Sequence, residues 1–276
     1  MSADAAESNR MEGNSIRQAA AGRVLQKLGW WKKDMRLAIF DIDGTLTETN
    51  NVDSVCFVQA MADAHSITGV DTNWGAYTHT TDSYITRELF RKRFGREPDD
   101  GEVSQFTSRF VSLLEGYRSK DSSLFTEVGG ASAAVARLAQ EPGWAVAVAS
   151  GCWRDSGVMK MKASGLELGD TPAAFAEDGL SREEILLVAV SRARDYYRQE
   201  GFEKVVSLGD GLWDLCAAWV LGFSFVGVAR GARAKSLQGA GASHVVEDFK
   251  DYERLMRCLS EAEIPARAWP KPPPTQ

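Results

Sequence analysis

The sequence predicts an α/β protein with a three-layer, Rossmann-like core built on a parallel sheet, plus a small helical domain. Short apolar runs alternate with helical stretches along most of the chain, which is typical of parallel strands joined by right-handed crossovers. Residues 49–121 interrupt this alternation, because they have helical spacing and no convincing strand. Polar residues follow directly after several of the apolar runs. They would lie at the carboxyl ends of the strands, which is where ligands bind in open α/β sheets.

Composition narrows the classes of protein to consider. The chain has 276 residues, 44% of them apolar, which is enough for a sizeable core. A net charge of -6 argues against a nucleic-acid partner, so an anionic substrate would need a local cation. Four scattered cysteines favour reduced thiols over disulfides or structural zinc, and no apolar stretch has the pattern of a signal peptide or membrane span. We therefore expect a soluble cytoplasmic protein with no membrane partner.

The first strand is predicted at Leu37 to Phe40 and ends in two carboxylates, Asp41 and Asp43. Alternation along an extended chain places both on one side, and Gly44 lets the chain turn away. Two like charges this close are costly unless a cation or a reacting group lies between them. On these residues alone, an ordinary strand followed by an acidic turn is the alternative.

Three helices are predicted in the inserted segment. The first covers Val52 to Ala64. The second covers Asp82 to Phe94 and begins after Thr81, a suitable N-cap residue. The third covers Glu102 to Tyr117 and carries an apolar stripe.

After Phe125 the α/β pattern resumes. Strands are predicted at residues 145–149, 172–176, 205–208, 223–228 and 244–246, and helices at 130–140, 152–165, 181–197, from 212, and at 252–259. The predicted domains are a discontinuous core at 34–48 and 122–265, the helical insert at 49–121, an N-terminal tail at 1–33 with a helix between Ser15 and Trp31, and a disordered tail at 266–276.

Two later strands repeat the arrangement of the first. The strand that ends at Leu208 is followed by Gly209 and Asp210, with a second carboxylate, Asp214, four residues on. The strand that ends at Ala149 is followed by Ser150 and Gly151. The chain therefore presents carboxylates and a hydroxyl after three separate strands.

These three stretches resemble the signature motifs of the haloacid dehalogenase superfamily, in the phosphatase pattern. Residues 41–47 match its Asp-x-Asp-Gly-Thr-x-Thr motif in full, Ser150 matches its hydroxyl motif, and residues 209–214 match its Gly-Asp-x-x-x-Asp motif. The resemblance covers roughly residues 35–250. It implies that the helical insert is a cap of the first type, which lies over the active site and selects the substrate.

The resemblance also implies a role for each matched residue. Asp41 would attack phosphorus and form an aspartyl-phosphate, while Asp43 would protonate the leaving alkoxide and later deprotonate the attacking water. Mg²⁺ would be held by Asp41, by the Asp43 backbone carbonyl and by Asp210. Ser150, the Gly151 amide and the Thr45 backbone would contact phosphoryl oxygens. Asp214 would either orient a ligand of the metal or interact with the helix dipole.

In this superfamily a lysine usually precedes the helix before the metal motif, and here that position holds Arg182. Arginine would neutralise the phosphate with a planar fork of donors instead of a point charge. Lys160 and Lys162 are the alternatives for this cation. An ordinary solvent-facing residue in the first turn of a helix is the other interpretation of Arg182.

A few other residues have weaker signals. His79 lies in a polar loop of the insert, where it could reach a substrate or remain exposed. A basic run is predicted to be a solvated helix face, although it could attract anions; its members are Arg87, Arg91, Lys92, Arg93 and Arg96. Cys152 follows the hydroxyl motif without a histidine partner, which favours a packing role.

The leading functional hypothesis is a magnesium-dependent phosphatase that acts on a small phosphorylated metabolite. Asp43 favours phosphate esters, because dehalogenases and phosphonatases of the superfamily lack the second aspartate of the first motif. A phosphomutase uses similar residues and stays open as an alternative. A non-catalytic binding module on the same fold is disfavoured by the three intact carboxylates. The substrate and the oligomeric state are not readable from the sequence.

Overall fold

The first strand lies at the centre of a parallel sheet. The computed structural model describes residues 35–266, so the helix predicted between Ser15 and Trp31 and the tail from residue 267 lie outside the described residues. Within 35–266 the strands are Arg36–Phe40 (β1), Trp144–Ala149 (β2), Ala173–Ala174 (β3), Lys204–Gly209 (β4), Ser224–Val228 (β5) and His244–Val246 (β6). They have the order β3-β2-β1-β4-β5-β6 in the sheet, and every neighbouring pair is parallel.

Helices cover both faces of this sheet. Successive residues of β1 point to opposite faces, so Ala38 and Phe40 pack in one buried cluster while Leu37 and Ile39 pack in another. The first cluster includes helices Ala131–Leu138 (α4), Arg154–Ala163 (α5) and Tyr252–Glu261 (α9). The second cluster includes helices Arg182–Tyr197 (α6), Leu212–Leu221 (α7) and Gly231–Ala240 (α8). The predicted three-layer α/β core is confirmed.

Three helices between β1 and β2 form a separate apolar cluster. They are Asn50–His65 (α1), Asp82–Phe94 (α2) and Asp100–Lys120 (α3). Phe57 lies at the centre of this cluster, with its ring centroid 5.0 Å from that of Phe106 and 5.9 Å from that of Phe110. Trp153, from the start of α5, is buried in the same cluster, so the helical insert packs against the core.

The two ends of the insert lie side by side. The Glu48 amide donates to the Thr126 carbonyl at 2.8 Å, and Thr47 forms an antiparallel bridge with Glu127. The Val128 amide donates to the Leu46 carbonyl at 2.9 Å. The chain therefore leaves the core and returns to it at one place.

Two elements differ from the sequence prediction. The strand predicted at residues 172–176 is reduced to two residues, because a 3₁₀ turn begins at Ala176 and the Asp178 carboxylate accepts from the Phe175 amide. Helix α8 was not predicted, because Leu237 is its one buried residue and it therefore has no apolar stripe. No helix among the described residues is both long and apolar enough to cross a membrane.

Candidate functional site

Asp41 follows β1 directly and is 4% exposed. It accepts a hydrogen bond of 2.9 Å from Nη1 of Arg182, and the same nitrogen lies 3.2 Å from Oδ1 of Asp214. Burial alone would lower the pKa of Arg182, but the charges of Asp41 and Asp214 outweigh burial and raise it. Arg182 is therefore a fixed cation between two carboxylates, and of the three candidate cations it is the one that contacts Asp41.

Three buried carboxylates meet beyond the strand ends. One oxygen each from Asp41, Asp210 and Asp214 lies within 4.8 Å of the others. Asp210 follows β4, which pairs with β1, and Asp214 lies in the first turn of α7, so adjacent elements bring them together. The donors are all oxygen, with no histidine or cysteine in the cluster. This donor set fits a hard divalent cation such as Mg²⁺.

Asp210 accepts both of its side-chain contacts on one oxygen. Its Oδ2 accepts from Nδ2 of Asn50 at 2.9 Å and from Nη1 of Arg233. Burial, followed by the nearby charge of Asp41, raises the pKa of Asp210 to about 7. Burial likewise raises the pKa of Asp214 well above its ordinary value, although Arg182 opposes the shift. A cation held by the cluster would relieve both penalties.

Gly44 permits this close approach of the β1 and β4 loops. Its φ is +77°, and a Cβ atom at this position would lie 2.0 Å from Oδ2 of Asp210. Gly151 has a similar constraint, since its Cβ would lie 2.7 Å from both Nε of Arg182 and the Thr80 carbonyl oxygen. Side chains at either position would displace the carboxylate or the guanidinium.

Asp43 has a different set of contacts from Asp41. Its Oδ2 accepts from Nζ of Lys160 at 2.6 Å, and its Oδ1 accepts from the Thr49 hydroxyl at 2.6 Å. The Lys160 ammonium also contacts Oδ1 of Asp53, in the first turn of α1. Lys160 therefore connects the first motif to the helical insert.

Lys160 is fully buried, with 0% of its side chain exposed. Burial acts to lower its pKa, but Asp43 and Asp53 outweigh burial and raise it well above the ordinary value. Burial also raises the pKa of Asp53 to about 6, because the attraction of Lys160 only partly offsets it. Lys162, the third candidate cation, is exposed on α5.

The hydroxyl motif lies where the sequence predicted, but Thr45 has another environment. Ser150 is 1% exposed, and with Gly151 it lines a cavity of about 890 Å³ that also contains Asp41 and Asp43. Thr45 does not line this cavity. Its amide donates to the Ile42 carbonyl at 3.1 Å, so the group predicted to contact phosphate is engaged in the turn instead.

A second cavity, of about 660 Å³, adjoins the first and shares part of its wall. Trp74 from the insert and Trp213 from α7 line both cavities. His79 lines the smaller cavity with its ring edge-on to Tyr84 at 4.7 Å, so this histidine lies on the cavity wall. The loop before α2 thereby contributes to the walls together with the core.

Cys152 from the core and Asp82 from the start of α2 both line the larger cavity. Burial raises the pKa of the Cys152 thiol and keeps it protonated, in agreement with the packing role. Asp82 is 9% exposed and its Oδ2 accepts from the Trp153 amide at 3.0 Å. The basic run lies outside both cavities and is exposed: Arg87 and Arg91 pair with Glu97, and Arg96 pairs with Glu102.

Sequence reasoning missed several contacts of the motif carboxylates. Asn50 is the first residue of α1, and Asp53 carries no signal beyond an acidic first turn. Arg233 lies on the unpredicted helix α8. The inward face of α5 is defined by four buried residues, and two of them, Ser156 and Lys160, are polar. Hydrophobic periodicity therefore could not have shown that Lys160 points inward.

No protein-family model and no curated protein matches the chain. Solved structures do match it. A hydrolase from Pseudomonas syringae is 19% identical with a TM-score of 0.59, over 81% of this chain and 97% of that one. A putative β-phosphoglucomutase from Bacteroides vulgatus is 14% identical with a TM-score of 0.59, over 90% and 98%. A HAD hydrolase, family IA, variant 3, from Entamoeba histolytica is 13% identical with a TM-score of 0.55, over 82% and 100%.

Proposed function

Because the chain has the haloacid dehalogenase fold that its motifs predict, we propose that it is a magnesium-dependent phosphatase of small phosphorylated metabolites. One observation carries the proposal. Asp41 lies at the end of the central strand, paired with Arg182 and clustered with Asp210 and Asp214, on the wall of a cavity of about 890 Å³. A carboxylate nucleophile needs cations around it to approach a phosphate dianion, and this arrangement supplies one cation and the ligands for a second.

In the proposed reaction an Asp41 oxygen attacks phosphorus and the ester oxygen leaves. Arg182 neutralises charge on the phosphoryl oxygens, and Ser150 with the Gly151 amide donates hydrogen bonds to them. Asp43 gives a proton to the leaving oxygen and then takes one from the water that hydrolyses the aspartyl-phosphate. Asp41, Asp210 and the Asp43 carbonyl would hold Mg²⁺, with Asp214 beside them; bound Mg²⁺ would supply charge neutralisation and orientation.

The test is phosphate release by the purified protein from p-nitrophenyl phosphate and from a panel of phosphorylated metabolites, with Mg²⁺ and after chelation. Asp41→Asn removes the nucleophile with little change of shape, so turnover should be lost while circular dichroism stays unchanged. Asp195→Asn is the matched control, because Asp195 is an exposed carboxylate outside both cavities. Full activity of Asp41→Asn, or of chelated protein, would contradict the proposal. Isomerisation of a sugar phosphate without net phosphate release would identify a mutase instead.

A further inference from the structure

Two cations line the cavities next to the carboxylate cluster. Among the lysines and arginines of residues 35–266, Arg182 and Arg233 are the ones on the cavity walls, and both line both cavities. Arg182 is 14% exposed in its side chain, and its donors face Asp41, Asp214 and the Thr80 carbonyl. Arg182 is therefore committed to the phosphoryl site, whereas Arg233 differs in exposure and in position.

Arg233 reaches the site from the solvent side. Its side chain is 54% exposed and starts in the first turn of α8, and its Nη1 contacts Oδ2 of Asp210. A guanidinium carries five N–H donors in a planar fork that matches a carboxylate or a phosphate. A half-exposed side chain can change rotamer without opening a cavity in the core. The group is therefore able to exchange one anionic partner for another.

Asp210 is a partner that Arg233 would have to share. Asp210 belongs to the cluster whose donors fit a divalent cation, and its Oδ2 already accepts from Asn50. A divalent cation and a guanidinium at one carboxylate repel each other, because like charges at contact distance are unfavourable. Metal binding at the cluster thus favours release of the Arg233 fork toward the cavities.

We propose that Arg233 binds a second anionic group of the substrate, a carboxylate or a further phosphate carried by the leaving group. This inference rests on the proposed phosphatase function. The other charged side chains on the two walls, apart from the arginines, are carboxylates: Asp41, Asp43, Asp53, Asp82, Glu183 and Asp210. An anionic leaving group would therefore find its favourable charge at Arg233, and a second oxyanion distinguishes the preferred substrate from a plain alkyl phosphate.

The test compares three substrates with one carbon skeleton: glycerol 3-phosphate, 3-phosphoglycerate and glycerol 1,3-bisphosphate. The first carries a neutral leaving group, the second a carboxylate and the third a second phosphate. The measured quantity is the ratio of kcat/KM for each anionic substrate to kcat/KM for glycerol 3-phosphate, so that any general loss of activity cancels. The unmodified protein should prefer at least one of the two substrates whose leaving group is anionic. Its choice between the carboxylate and the second phosphate identifies the group that Arg233 binds.

Arg233→Gln should reduce that ratio by about 10- to 100-fold, the usual range for a lost charge-assisted hydrogen bond. Lys235→Gln is the control, because Lys235 is an exposed cation on the same helix and lines neither cavity. A preference for glycerol 3-phosphate in the unmodified protein, or an unchanged ratio in Arg233→Gln, would overturn the inference while leaving the phosphatase proposal intact. If the unmodified protein hydrolyses none of these phosphate esters, that result would instead contradict the proposed function.

A binding measurement covers the case in which turnover is slow. Titration calorimetry on Asp41→Asn with Mg²⁺ should give tighter binding of an anionic compound than of glycerol 3-phosphate. Adding Arg233→Gln to that variant should remove the difference. Equal affinities for all three compounds in Asp41→Asn would count against the inference.

Discussion

Two largely buried cations contact the aspartates that follow β1, and their counter-charges come from different parts of the chain. Arg182 pairs with Asp41 and Asp214, both in the α/β core, and touches the insert through the neutral Thr80 carbonyl. Lys160 pairs with Asp43 in the core and with Asp53 on the first helix of the insert. Charge balance at Asp41 is therefore set within the core, whereas at Asp43 it depends on the insert.

This contrast separates the two halves of the proposed reaction. Buried charges are strongly destabilising when a partner is removed, so each cation has a defined position only while its carboxylates are in place. Displacement of the insert would leave Lys160 with one carboxylate in place of two. It would leave the charge pairs of Arg182 unchanged. The insert therefore has an electrostatic role at Asp43 in addition to its contribution to the cavity walls.

The largest effect is expected from Arg182→Met. This change leaves Asp41 and Asp214 unpaired in a buried site and removes a donor to the phosphoryl group. We expect kcat/KM to fall by about 10²- to 10³-fold for every phosphate ester, irrespective of the leaving group. Arg182→Lys should recover part of the loss, because it keeps the charge but not the fork. A loss of less than tenfold in Arg182→Met would show that the phosphoryl charge is neutralised elsewhere.

A smaller and selective effect is expected from Lys160→Met. Methionine fills most of the space, but Asp43 loses its Oδ2 donor and its fixed position. General acid catalysis matters for alkoxide leaving groups and little for p-nitrophenolate, so the ratio of kcat/KM for glycerol 3-phosphate to that for p-nitrophenyl phosphate should fall by about 10²-fold.

Lys162→Met is the control for Lys160→Met, since Lys162 lies two residues along the same helix and is exposed. A purely structural role for Lys160 predicts equal losses with both substrates. Equal losses would therefore remove the distinction between the two cations.

The next prediction concerns the pH dependence of metal binding at the cluster of Asp41, Asp210 and Asp214. The pKa of Asp210 is raised to about 7, chiefly by burial, and a carboxylate must lose its proton to bind a metal. Mg²⁺ affinity, measured by calorimetry on the unmodified protein without substrate, should rise about tenfold per pH unit below pH 7 and level off above it. An affinity that is constant between pH 5.5 and 8 would exclude Asp210 as a ligand that titrates in this range.

The smallest effect is expected on the Lys160 side, from the titration of Asp53. Its pKa is about 6 in the folded protein and 3.8 ordinarily, so the folded state holds a proton that the unfolded chain releases between these values. Its contribution to the free energy of unfolding therefore falls as pH rises from 4 to 6, by about 2 kcal/mol. Urea unfolding should show this slope reduced in Asp53→Asn; an identical slope would show that Asp53 does not titrate there.

The core and the motif carboxylates were predictable because local signals agree with the fold. Short apolar runs mark β1, β2 and β4, and parallel strands present their ends at one edge, so Asp41, Ser150 and Asp210 could be placed together. The helices of the insert were predictable from spacing and from the Thr81 cap, whose hydroxyl accepts from the Tyr84 amide. In each case a few consecutive residues contain the information.

The remaining contacts depend on tertiary packing, which one sequence does not display. Lys160 and Arg182 were alternatives for a single position, yet the structure brings both to the site, one to each aspartate of the first motif. Lys160 faces inward because α5 packs between the core and the insert. Arg233 comes from a helix that has one buried residue and therefore no periodic signal.

The adjacent ends of the insert have a consequence for how such a protein can evolve. The Glu48–Thr126 hydrogen bond and the Thr47–Glu127 bridge close the core beneath the insert without using any residue of its helices. Replacing the intervening segment by a longer, shorter or unrelated one would leave that closure in place, since the entropy of joining two fixed points grows only slowly with loop length. The junction is thus a natural point of exchange for the insert, provided that the replacement again supplies Lys160 with the second carboxylate that Asp53 provides here.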